Sequence, residues 1–166
     1  MQTLGDQRIA VYVIDSKSVT EVLDALRKIG KLFGTESSAE STTSALEKRV
    51  NVVERRLAPE ASKRVFVQIS SEPLFTIGQD SFLTNLIEMA GGTSVTRNVP
   101  SAYPKLSKES ASALNPNVII LSNSEDNQEP NDVFKNSPAV KNGRVYMINA
   151  DIISRPGPRL VGGGDM

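Results

Sequence analysis

The hydrophobic rhythm of the chain changes once. "RIAVYVID" (8–15) is a short, apolar, β-branched run, the pattern of a buried strand. Ser18, with Glu21 three residues on, then forms a capping box. Val19, Val22, Leu23, Leu26 and Ile29 recur at helical spacing, and Gly34 stands where that helix should stop. A second helix is expected to begin after Thr35, Ser37 or Ser38 and to end at Pro59. Over 36–58 it would be roughly 30 Å long at 1.5 Å per residue. Leu46, Val50, Val53 and Leu57 make one narrow apolar stripe along it, and "EKR" and "ERR" charge the other faces. Such a helix either lies across a surface or joins two bodies, or it packs as an ordinary core helix.

From residue 63 strands and helices alternate. "KRVFVQIS" reads as a strand. "DSFLTNLIEMAGG" reads as a helix with Phe82, Leu83, Leu86, Ile87 and Ala90 on one face and Gly91 as its stop. "TSV" is a short strand, "SKESASALN" a short helix ended by Asn115-Pro116, and "NVIIL" a strand. "EPNDVFKN" is a helical turn and "GRVYMI" a further strand. The alternation implies an α/β fold: a Rossmann-like lobe with a mainly parallel sheet flanked by helices, preceded by the long helix. In an open parallel sheet, ligands bind outside the carboxyl ends of the strands. The loops 70–79, 97–106, 122–131 and 149–159 should therefore lie on one rim.

Composition narrows the chemistry. At 166 residues the chain holds one ordinary domain, or one plus a fragment. Lys plus Arg and Asp plus Glu are each 19, so no global field draws it to nucleic acid or anionic lipid. It has no histidine and no cysteine. That removes disulfides, the commonest nitrogen ligand for a metal, the usual general base, and any Ser–His–Asp or Cys–His mechanism. No apolar run approaches the roughly 20 residues of a membrane span. The opening "MQTLGDQR" has no apolar signal core. Neither GxGxxG nor GxxxxGK[ST] occurs. A small Rossmann-like nucleotide-binding or enzyme module is the rival reading, and these two absences oppose it.

Candidate site residues stand in the rim loops. Phe75, between Pro73 and Gly78, is either a plug over the core or a ligand-facing ring. Glu125, Asp126 and Glu129 share one loop without EF-hand spacing, which reads as a solvated acidic loop and not a metal site. Asp151 and Arg155 are four apart, and "RPGPR" stiffens the turn that holds the arginine. Their plain reading is a surface ion pair. Ser107 is a good N-cap, which puts Glu109 in the first turn of a helix, where the dipole favours an acid. Tyr103 precedes Pro104 in the same loop. Met89, Met147 and Phe66 sit at core spacing.

"VYVID…SVTEVLDALRKIGKLFG", "PLFTIGQDSFLTNLIEMAGG", "YPKLSKES…LNPNVIIL", "GRVYMINADI" and "SRPGPRLV", in this order, resemble the C-terminal part of the class III solute-binding proteins of ABC importers, the ferric-siderophore and cobalamin-binding type. The resemblance implies two α/β lobes bridged by one long helix, with the ligand in the cleft between. It makes 1–35 a remnant of the N-terminal lobe (strand plus helix), 36–58 the bridging helix and 59–166 the C-terminal ligand-binding lobe. The rest of an N-terminal lobe, an export segment and a final helix would lie outside these residues, so the chain is expected to be a fragment of a periplasmic or extracytoplasmic protein.

By the same likeness, Tyr103 falls where the cobalamin binder carries a ring, there a tryptophan, against its ligand. Glu109 matches the acid that pairs with permease arginines, and Asp151 a cleft-facing acid. Arg155 and Arg159 lie in the matching "RxxPR" turn and, with Lys105, would meet anionic groups of a ligand. The implied function is that of a non-enzymatic carrier lobe with no cofactor of its own. A ferric siderophore, haem or cobalamin would be the cargo, its metal held by the chelator, and an ABC permease the partner. Because the strand at 8–15 would lack its lobe, it is expected to pack on the chain's own sheet or to make a homodimer through residues 1–35.

Overall fold

The computed structural model describes residue 7, residues 10–57, residues 62–153 and residue 157. Helix α1 runs Val19–Phe33. The Ser18 hydroxyl accepts from the Glu21 N–H at 3.2 Å, and Gly34 ends the helix at φ 66°. That left-handed φ is open to glycine at little steric cost. Helix α2 follows at once, Glu36–Arg55, with Thr35 as its N-cap. Gly30 lets the two helices come together, since a Cβ there would collide with the Ala39 side chain. Arg27 of α1 bridges Glu40 at 3.0 Å and Glu47 at 2.8 Å on α2.

Four parallel strands follow: β1 Arg64–Gln68, β2 Thr93–Ser94, β3 Val118–Asn123 and β4 Val145–Asn149, in spatial order β2-β1-β3-β4. Val67 pairs with Ile120, and Leu121 with Met147. Helix α3, Phe82–Met89, covers the face that bears Val65 and Val67, through Leu83 and Ile87. The other face, with Phe66, Ile119 and Leu121, is covered by α4 (Lys108–Ser112), a 3-10 turn (Asp132–Phe134) and α5 (Pro138–Lys141). The chain steps from β1 to β2 in one direction and afterwards in the other. Right-handed crossovers then require opposite faces for the two sets of helices. A short α6, Ala150–Ile153, ends the described lobe. The sheet is joined to the helix pair by a third cluster, in which Val19, Val22, Leu23 and Leu46 meet Phe82 of α3.

Three expectations are corrected. No strand forms over the described residues 10–15, and Val11, Tyr12, Val13 and Ile14 are all exposed. A strand needs a ladder partner, and among the described residues the sheet offers this run none, so packing on the chain's own sheet does not occur. Met147 is 48% exposed, because β4 is an edge strand among the described residues. The apolar stripe is split: Leu46 on α2 is buried, while Val53 in its last turns and Leu57 just beyond its end are exposed at 52% and 40%. The N-terminal part of the helix has α1 to pack on, and that cover does not reach the last turns.

Candidate functional site

A parallel sheet places every strand's carboxyl end on one side, so the loops leaving β1, β2, β3 and β4 share a rim. What shapes this rim is contact between loops. The 70–79 loop folds back on its own strand: Ile69 N–H donates to Phe75 O at 2.9 Å, and Phe75 N–H to Ser70 O at 3.2 Å. The 97–106 loop then zips onto it. Thr76 N–H donates to Pro104 O at 3.1 Å, Gly78 N–H to Ala102 O at 3.0 Å, Gln79 N–H to Val99 O at 2.9 Å and Leu106 N–H to Leu74 O at 3.0 Å. Side chains alternate along 74–77. Leu74 goes to one core and Ile77 to the other. Thr76 is buried, its hydroxyl donating to Val67 O at 2.7 Å.

Phe75 is half-buried and belongs to none of the three hydrophobic clusters among the described residues. It bridges Lys105 across the zipper, two residues from Tyr103. Tyr103 is 49% exposed, on a loop whose backbone is tied down on both sides of it. The two rings that sequence singled out are therefore carried by one loop pair.

The third rim loop is anchored by buried amides. Gln68, at the end of β1, is fully buried. Its Nε2 donates to Asn127 Oδ1 at 2.6 Å and to Glu129 O at 2.9 Å, and its Oε1 accepts from Asn131 N–H at 2.8 Å. Asn127 Nδ2 donates to Gln68 O at 2.9 Å and to Ser122 O at 2.8 Å. Asn131 Nδ2 reaches Ser71 O at 3.0 Å. Every partner is neutral, and no buried side-chain polar atom among the described residues lacks one. Glu125, Asp126 and Glu129 stand exposed on this anchored loop, and no acidic group among the described residues is arranged to hold a metal ion.

Asp151 lies on α6, exposed, its N–H donating to Asn149 Oδ1 at 2.8 Å. It shares the rim with the rings but follows β4, at the opposite edge of the sheet from β2. Three ladder spacings separate those strands, about 14 Å. Arg155 and Arg159 lie outside the described residues. Glu109 is exposed in the first turn of α4. Its own backbone N–H and the Ser107 hydroxyl hold its carboxyl below the ordinary carboxylate range. Beside it, Lys108 pairs with Glu72 of the 70–79 loop at 3.1 Å. Sequence reasoning missed Gln68, Asn127, Asn131 and Gly78. Gln68 did leave a signal, as an amide at an inward position of an apolar strand.

Comparison with known proteins agrees with this architecture. A family profile described as periplasmic binding protein matches residues 4–152. An ABC transporter substrate-binding lipoprotein of Bacillus subtilis, uncharacterised, is 25% identical over 170 residues, which is 98% of this chain and 54% of the relative. A cobalamin-binding protein of Halobacterium salinarum is 29% identical over 154 residues, 87% of this chain and 42% of the relative. Among solved structures, a possible iron-binding (periplasmic solute-binding) protein of Staphylococcus epidermidis superposes with a TM-score of 0.82 at 26% identity, covering 98% of this chain and 66% of that one. The chain spans about half the length of the curated relatives it matches.

Proposed function

Because the chain belongs to the periplasmic binding protein family, we propose that it is the C-terminal, ligand-binding half of an ABC importer's solute-binding protein. It carries a metal chelate (a ferric siderophore, haem or corrinoid) and is not an enzyme. The observation that carries this is the loop zipper. Thr76 and Gly78 bind the backbone on either side of Tyr103, and Phe75 bridges Lys105 on the same loop, which supports a reading in which both rings meet one ligand. Flat rings held this way cover a large planar or chelated ligand at low entropic cost. Tyr103 and Phe75 are the contact rings in this reading. Asp151, Arg155 and Arg159 supply charged contacts from the β4 side. The metal stays with its chelator, in keeping with a chain that has neither His nor Cys.

One lobe provides one wall of a cleft, so affinity for the chain alone is weak. Titration with cyanocobalamin, a ferric hydroxamate and haemin tests this. Micromolar or weaker binding of one of them, lost in Tyr103→Ala, is expected. Nanomolar affinity contradicts the half-site, and no response to any of the three removes the ligand class.

Glu109 is the docking acid in this reading. An exposed, charged carboxylate on a short, capped helix favours encounter rate and register over raw affinity. In the complete protein, Glu109→Arg should slow permease-dependent uptake and leave ligand affinity intact. The exposed run Val11–Ile14 supports self-association of this chain through residues 1–35.

A further inference from the structure

Tyr103 owes its place to a residue that is neither aromatic nor polar. Gly78 does not have a left-handed backbone; the positive-φ glycines among the described residues are Gly34, Gly91 and Gly143. Glycine is required at 78 by proximity. A Cβ there would collide with the carbonyl oxygen of Ser101, lie 2.7 Å from Val99 O and press on Pro104 Cδ at 3.3 Å. The 99–104 backbone thus rests directly on the face of residue 78, and the Gly78 N–H locks it by donating to Ala102 O at 3.0 Å. Ala102 and Pro104 are the two neighbours of Tyr103.

Gly78 is itself fixed from below. Its carbonyl oxygen accepts from the buried Thr84 hydroxyl of α3 at 2.7 Å and from Ser81 N–H at 3.2 Å. Helix α3 is seated in the core through Leu83 and Ile87. The two peptides that meet at Gly78 therefore link the core helix to the exposed loop: the 78–79 peptide takes the Thr84 hydroxyl on its carbonyl and gives its Gln79 N–H to Val99 O at 2.9 Å, and the 77–78 peptide gives the Gly78 N–H to Ala102 O.

We propose that Gly78 and Thr84 are a positioning pair for Tyr103: the glycine sets how close the 99–104 loop sits to the sheet, and the threonine hydroxyl, by holding the Gly78 carbonyl, keeps the 78–79 peptide turned so that Gln79 N–H meets Val99 O at 2.9 Å. That this placement serves ligand binding rests on the function proposed above; the placement itself does not. Held in this way, the ring is presented before any ligand arrives, and the cost of ordering it is not charged to binding. Loosening the pair leaves the phenol present but mobile.

The chain contains no tryptophan, so Tyr103→Trp installs a single indole at the ring position, excited selectively to the red of Tyr12 and Tyr146. In that background, Thr84→Val removes the hydroxyl at nearly constant shape, Thr84→Ser restores it, and Gly78→Ala tests the close approach. Acrylamide quenching and emission anisotropy of the indole at 103 are read on each full-length chain, with circular dichroism as the check on folding. Thr84→Val should raise the quenching constant about twofold and lower the anisotropy, as expected of a loop released to local opening. Thr84→Ser should return both toward the parent, and Gly78→Ala should exceed Thr84→Val. A purely structural role would lower the melting temperature and leave the indole's accessibility and anisotropy unchanged. That result in folded Thr84→Val overturns the proposal, and the Val/Ser comparison decides even if Gly78→Ala does not fold. Cyanocobalamin quenching of the same indole keeps the two ideas apart. A parent that ignores cyanocobalamin, with the acrylamide difference intact, counts against that ligand and supports the positioning pair.

Discussion

Gln68 and Asn127 exchange hydrogen bonds in both directions: Gln68 Nε2 donates to Asn127 Oδ1 at 2.6 Å, and Asn127 Nδ2 donates to Gln68 O at 2.9 Å. The two residues are 59 positions apart, Gln68 at the end of β1 and Asn127 on the loop that follows β3. Their pairing satisfies buried amides and also decides where the acidic 122–131 loop sits.

Gln68→Leu keeps most of the buried volume and strips that arrangement of its centre. It leaves Asn127 Oδ1, Glu129 O and Asn131 N–H without the partner they have now. Each buried group orphaned costs about 1–3 kcal/mol, less whatever water recovers as the loop opens. Urea unfolding should show a lower midpoint. Hydrogen exchange should show lost protection at 127–131 with β1 and β3 still protected. Protection at 127–131 equal to the wild type would refute the anchoring role.

Gly30 and Ala39 test the other end of the molecule. A methyl group at position 30 has no room against Ala39, so Gly30→Ala must splay α1 from α2. Overpacking of this kind typically costs about 1–3 kcal/mol. The gain in helix propensity from losing a glycine is smaller, about 1 kcal/mol at most. A lowered melting temperature is expected, recovered in part by Ala39→Gly. A stabilised Gly30→Ala protein would show that the helix contact is softer than its geometry.

Ser107 caps α4 by accepting from Ser110 N–H at 3.1 Å, and it also holds the Glu109 carboxyl. Ser107→Ala should cost about 1 kcal/mol. It should also raise the Glu109 pKa, visible in a chemical-shift titration of its carboxyl carbon. The sign follows from linkage. A carboxyl depressed in the folded state adds stability above its unfolded pKa and loses it as pH falls through the folded pKa. Removing the hydroxyl therefore moves that loss to higher pH. An unmoved Glu109 titration would leave its depression to the backbone N–H alone.

Val11, Tyr12, Val13 and Ile14 form a contiguous exposed apolar run. Sedimentation should show concentration-dependent self-association, abolished by the paired change Val13→Lys and Ile14→Lys with the melting temperature little altered. A wild-type chain that stays monomeric across the range removes residues 1–35 as an interface.

Local chemistry determined much of this protein from the sequence alone. Ser18 and Ser107 cap helices, and Gly34 and Gly91 end them with φ of 66° and 76°, because capping and left-handed turns are decided within a few residues. The β1, β3 and β4 runs alternating with helices implied the parallel sheet, and the parallel sheet implied the shared rim. Tertiary structure decided what depends on distant partners. The run at 10–15 has a strand's composition and no ladder to join. Met147 has a core residue's spacing and sits on an edge. Gly78 looks like any loop glycine until the carbonyl of Ser101 rests on it, and Gln68 like any polar residue until Asn127 arrives. Burial and close approach are properties of pairs brought together by the whole fold, and a one-dimensional pattern holds only one member of each pair at a time.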